Sequence, residues 1–102
     1  MRSPLSVLLV NPPEVALEET YDATVSASTE ITLNSGTNYI EVAAIAKPIF
    51  LKWGTADASS TDWDHVIAQE TVRGFYVPAG VTAVNFIEQA ASANLAVSEF
   101  KI

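Results

Sequence analysis

His65 is the chain's single histidine, and it stands directly after Asp64 and three residues after Asp62. Those types are what a Ser-His-Asp hydrolase uses, but that chemistry also needs a serine within reach of the imidazole and donors for an oxyanion. No G-x-S-x-G elbow is present. On an extended chain Asp64 and His65 point to opposite faces, so His65 reads as a solvent-facing loop or strand histidine and no catalytic residue is assigned. Asp57, Asp62 and Asp64, with Glu70 beyond, form the densest acidic cluster and have the oxygen chemistry a hard cation takes. Their spacing does not match a calcium loop with acids at alternate positions and a central glycine. Solvated carboxylates are therefore the first expectation, and neither a metal nor a cofactor is assigned.

Trp53 and Trp63 flank the same segment, and an aromatic face beside carboxylates suits a sugar ring. Trp63 with Asp62 and Asp64 thus defines an alternative reading, a small carbohydrate-binding or adhesion module. Trp53 follows Ile49 and Leu51 in an apolar run and belongs to a packed strand. Glycoside hydrolysis needs two positioned carboxyls in a cleft, and a domain this small offers little depth. Gly36, Gly54, Gly74 and Gly80 are isolated, which excludes a glycine-rich phosphate loop.

These side chains must be carried by strands. Val, Ile and Thr number 11, 7 and 9, and such β-branched residues suit a pleated surface. Residues 21–26 alternate, with Tyr21, Ala23 and Val25 on one face. Ile31 and Leu33 face inward in the next segment, and the turn at 34–38 follows. In residues 39–46, Ile40, Val42 and Ala44 share a side opposite Glu41. Lys47-Pro48 interrupts the ladder before a strand at 49–53. Residues 54–62 hold nothing apolar larger than alanine and read as a long loop, and 63–68 as a helical turn or short strand. A strand with a bulge at Gly74 covers 71–77, and Pro78-Ala79-Gly80 turns the chain. Residues 82–87 set Ala83 and Asn85 against Val84 and Phe86. The segment 87–96 reads as a loop with at most one helical turn, because it lacks an apolar helical stripe. The last strand carries Leu95, Val97 and Ile102. Seven or eight short strands at this spacing predict an all-β sandwich or small barrel, with no alternating βα units.

The chain has 102 residues, 49% hydrophobic and 17% charged, with a formal charge of -7. That length makes one domain, divided here as residues 1–13, an apolar arm or first strand, and 14–102, the sandwich. With no cysteine, disulfide scaffolds and thiolate chemistry are excluded. Five bases against twelve acids argue against a nucleic-acid partner. No run approaches the ~20 apolar residues of a membrane-spanning helix, so neither membrane nor nucleic acid is an expected partner. The apolar run at 5–10 is shorter than the ~7 to 15 residues of a signal core and lacks a small-residue cleavage site, so secretion by signal peptide is not expected. Leu5, Leu8 and Val10, followed by Pro12-Pro13, suit an arm that pairs within its own domain or with a neighbouring subunit.

Four segments, Thr29-Glu30-Ile31-Thr32-Leu33, Ile49-Phe50-Leu51-Lys52-Trp53-Gly54-Thr55, Val77-Pro78-Ala79-Gly80-Val81-Thr82 and residues 91–99, resemble a pattern of small phage-encoded virion proteins. In that group an aromatic-glycine strand end precedes a Thr/Ser/Asp loop, a Val-Pro-x-Gly turn follows, and a strand with Leu-x-Val-x-Glu closes the chain. The motifs are short, cover residues 29 to 99, and consist of common turn and strand residues. Ala93-Asn94 departs from the pattern where a glycine is usual, as does the longer arm at 5–10. The resemblance implies a jelly-roll-like β-sandwich of seven to eight antiparallel strands. It also implies a non-enzymatic structural role in the virion: head decoration or cement, or tail or fibre component, made in the host cytoplasm. It carries no catalytic residues. The expected partners are copies of this chain, with a trimer favoured, and capsid or other virion proteins. The interface residues expected from this reading are Leu5, Leu8, Val10, Phe50 and Phe75.

Overall fold

A computed structural model describes residues 14–22, through their backbone, and 24–102. The arm at 1–13, with Leu5, Leu8 and Val10, lies outside the described residues. The elements are β1 (Glu14–Asp22), β2 (Thr29–Thr32), β3 (Tyr39–Ile45), β4 (Ile49–Trp53), β5 (His65–Ile67), β6 (Thr71–Tyr76), β7 (Ala83–Glu88) and β8 (Asn94–Lys101). Among the described residues they make two four-stranded sheets of order β1-β8-β3-β6 and β2-β7-β4-β5, with antiparallel pairing throughout. First pairs with last, second with seventh, third with sixth and fourth with fifth. A long hairpin wound over itself leaves this trace, and it is the jelly-roll arrangement.

Period-2 alternation builds the core between the sheets. Ile40, Val42 and Ala44 of β3 are fully buried, with Leu95 and Val97 beside them on β8. They face Ile49, Leu51, Ile67, Val84 and Phe86 of the other sheet, all at 0% exposure. Each large side chain so buried contributes about 1.5–3 kcal/mol, which makes this layer the main source of stability.

Several local expectations are corrected. The strand expected at 21–26 instead runs over Glu14–Asp22, and 24–28 lie outside it, because Glu14 and Val15 pair with Lys101 and Phe100 before a register shift that ends at Glu19. Gly74 makes no bulge: β6 runs in register against β3 with Gly74 opposite Glu41. The missing side chain has another use, since a Cβ there would collide with the Tyr39 hydroxyl. Glycine lets the Tyr39 ring lie across β6. Ile102 is not core but 56% exposed. The inward position it was expected to hold near the strand end belongs to Glu99.

The β3–β4 and β5–β6 connections meet through two left-handed residues, Ala46 at φ 76° and Glu70 at φ 58°. Glu70 Oε2 accepts the Ala46 N–H at 2.7 Å, and the Glu70 N–H donates to Ala44 O at 2.7 Å. Reciprocal bonds hold both turns. Because a Cβ in this region costs ~1–2 kcal/mol, Ala46→Gly, which keeps the N–H donor, is expected to stabilise the fold by about 1 kcal/mol. A melting temperature higher by about 4–8 °C would register it.

Candidate functional site

The acidic loop singled out by sequence lies across the outer face of β4 and β7. On β4 the alternation sends Phe50 and Lys52 outward, and on β7 it sends Ala83 and Asn85 to the same face. Yet Phe50, Ala83 and Asn85 are buried, at 8%, 2% and 1% exposure. The covering material is the loop at 54–64. Trp63 stacks on Phe50 with ring centroids 4.9 Å apart and planes 14° apart. Ala58 sinks to 3% exposure and donates its N–H to Ser28 Oγ at 2.9 Å.

Asn85 is the polar centre of this cover. Its Oδ1 accepts from Ser28 Oγ at 3.0 Å, and its Nδ2 donates to Gly54 O at 2.9 Å and to Glu30 Oε1 at 3.4 Å. One buried amide therefore ties β7 to the start of the loop and to the segment before β2. Buried polar groups are tolerated on these terms, with donors and acceptors both matched. Sequence reasoning placed Asn85 only as one side of an alternation. No local signal marks it as a hub, since its partners are 31 to 57 residues away.

The carboxylates are dispersed rather than gathered. Asp62 Oδ1 accepts from Lys52 Nζ at 2.8 Å, and the Asp62 backbone pairs with Ser59. That hydrogen bond, ahead of the attraction of Asp62 and Asp64, raises the Lys52 ammonium above its ordinary value of 10.5. A raised cation stabilises below its ordinary pKa and loses the contribution as pH climbs through the folded value, so this contact fades only in strong alkali. Asp64 turns the other way and accepts the Trp53 N–H at 2.9 Å, while its own N–H donates to Leu51 O at 2.7 Å. Asp57 is exposed. Among the described residues no three of His, Asp and Glu converge on a point that would hold a metal. Two of the three loop acids weighed as cation ligands, Asp62 and Asp64, instead hold the loop to β4.

His65 is half-buried rather than solvent-facing. Its ring sits 4.9 Å from Phe75 and 6.3 Å edge-on from Trp53, while the Arg73 guanidinium lies 4.7 Å over Phe75. Together they close the side of the sandwich where β5 meets β6. Phe75 is 7% exposed and part of the core, and Phe50 lies under Trp63. The surfaces of both expected interface aromatics are thus covered within the subunit. Trp63, 40% exposed, keeps part of its surface open.

Removing that cover defines a prediction. Trp63→Ala should lower stability by about 2 kcal/mol, from the lost stack and the water admitted to Phe50. Thermal unfolding should shift down by about 8–16 °C. An unchanged midpoint would show that the stack carries no weight.

The two most exposed large apolar side chains of the described residues are on the opposite sheet. Tyr39, Tyr76 and Phe100 form a row across β3, β6 and β8, with ring centroids 5.0 Å apart for Tyr39–Tyr76 and 6.1 Å for Tyr39–Phe100. Tyr76 is 75% exposed and Val72 63%. The register sets Tyr39 opposite both Tyr76 and Phe100, and Ala43 opposite both Val72 and Ala96. The sequence did carry a signal for this face: residues on the opposite phase to Ile40, Val42 and Phe75 are themselves largely apolar. No protein-family model, curated protein or solved structure matches the chain.

Proposed function

We propose that this protein is a non-enzymatic structural component of a phage particle, a head decoration or cement subunit or a tail or fibre part, that works by self-association and attachment to a particle lattice. The observation that carries the reading is the apolar row on the outer face of β8, β3 and β6, Phe100, Tyr39 and Tyr76, with Val72 and Tyr76 standing open at the β6 end. Monomeric soluble proteins rarely leave contiguous apolar patches larger than a few hundred Å², and larger ones mark contact surfaces. The bonds that tie Asp62 to Lys52 and Asp64 to the Trp53 N–H support a structural role over ligand capture. The jelly-roll sandwich agrees with the particle setting implied by the sequence resemblance, although a fold hosts many functions and the setting rests on that resemblance. A net charge of -7 would keep free subunits soluble until they meet a lattice.

Light scattering over the micromolar range tests the reading. A stable oligomer with no change in tryptophan fluorescence on titration with oligosaccharides is expected. A monomer whose Trp63 emission responds to sugar would overturn it.

A further inference from the structure

Resting on the function proposed above, we infer that a second copy of this chain pairs along the edge of β6 that no other described strand covers, making one continuous sheet across a two-fold axis. Among the described residues, the four strands at sheet edges differ in how they resist such pairing. Natural edges are blunted by shortness or by charge, because an open ladder is a template for another chain. β2 has four residues and β5 three. β1 is long but carries Glu14, Glu18, Glu19 and Asp22 in nine positions. β6, Thr71-Val72-Arg73-Gly74-Phe75-Tyr76, is a six-residue edge with no acid, no proline and no register shift. In a chain with twelve acids and five bases, its only charge is Arg73, which donates to Val66 O within the subunit.

The phase of the ladder says which groups are available. The Val77 N–H donates to Asn38 O at 2.9 Å, continuing the β3–β6 register, so the odd residues of β6 bond to β3. By alternation the N–H and C=O groups of Val72, Gly74 and Tyr76 face away from the sheet. An antiparallel copy centred on Gly74 sets Gly74 against Gly74, and Val72 against Tyr76 in both directions. All three residues then meet a hydrogen-bonding partner, and every pair on the outer face is apolar or glycine. No acid lies on either β6 at the seam, which is the charge condition a chain of net charge -7 must meet to pair with itself. The aromatic row ending at Tyr76 continues into Val72 and Ala43 of the second copy. Such a contact is isologous and closes as a dimer, in place of the trimer expected from sequence.

Sedimentation equilibrium of the full chain, with amide exchange followed by NMR, tests the seam. The chain should weigh twice its monomer mass, and the amides of Val72, Gly74 and Tyr76 should exchange slowly at high concentration and quickly on dilution. Val72→Lys, at an exposed position, should weaken the dimer at least ten-fold while circular dichroism stays unchanged. An oligomer whose three amides exchange quickly at every concentration, or a trimer indifferent to Val72→Lys, overturns the β6 seam and leaves self-association standing. A chain monomeric at all concentrations overturns both.

Discussion

Glu99→Ala is expected to lower the melting temperature by about 12–24 °C, a loss of about 3 kcal/mol. Glu99 is 1% exposed on the inward face of β8, directly after the core residues Leu95 and Val97. A single oxygen, Oε1, accepts from the Asn34 N–H at 2.8 Å, from Asn34 Nδ2 at 3.2 Å and from Thr37 Oγ1 at 2.8 Å. These donors belong to the crossover from β2 in one sheet to β3 in the other. The carboxylate thus fastens the crossover to the β8 ladder. Asn38 adds a second clamp, bonding Ile102 through Oδ1 at 2.8 Å and Nδ2 at 3.0 Å. Alanine removes the acceptor and leaves three part-buried donors without it, each at a cost of about 1 kcal/mol or more. Glu99→Gln keeps an acceptor of the same shape and should lose only about 1 kcal/mol. If glutamine proved as damaging as alanine, negative charge rather than bond geometry would be the source of the effect.

Asn85→Asp is expected to be at least as severe, about 4 kcal/mol at neutral pH, although it changes one amide to a carboxyl. The substituted atom is the donor: Nδ2 faces Gly54 O and Glu30 Oε1, so an oxygen there meets two acceptors in a site 1% exposed. An uncompensated buried charge costs about 3–5 kcal/mol. Such an acid would ionise at higher pH in the folded chain than in the unfolded one. Its penalty is therefore fully present above the folded pKa and shrinks as pH falls, so the gap in melting temperature between variant and parent should narrow in acid. Asn85→Leu, which also orphans Ser28 and Gly54 but introduces no charge, should show a gap independent of pH. A pH-independent gap for both variants would place the damage in lost packing. Trp63 fluorescence provides a local readout, because release of the loop at 54–64 from Asn85 should expose Phe50 and shift the emission to the red.

Much of the architecture was legible in the residues. Ile31 and Leu33 alternate with polar neighbours, Ile40, Val42 and Ala44 share one phase of their strand, and all five are buried. Period-2 burial is a local property of an extended chain, so a one-dimensional reading finds it. The glycines at 36, 54 and 80 mark turns for an equally local reason, since all three adopt φ between 83° and 98°. Where the reading failed, a distant segment had changed the environment. Ala83 and Asn85 should have been an outer face, but a loop some twenty to thirty residues earlier lies on them. Phe50 was expected at a contact between subunits, and Trp63 from the same chain already covers it. Gly74 looked like a bulge because a strand glycine often is one, whereas the Tyr39 ring takes its space.

The candidate site divides in the same way. The residues at 57–64 announced themselves by composition, and composition cannot say where a carboxylate points. Pairing did, by setting Lys52 beside Asp62 and the Trp53 N–H beside Asp64. What the sequence determined by itself was an acidic, cysteine-free, all-β chain with the strands from 29 onward in the right places and most inward faces correctly assigned, because each follows from the stereochemistry of neighbouring residues. The tertiary structure decided which loop covers which sheet, which acids are held by the fold, and which strands lie at the edges of the described sheets. Those depend on contacts between residues far apart in the chain, and alternation within a strand holds no record of them.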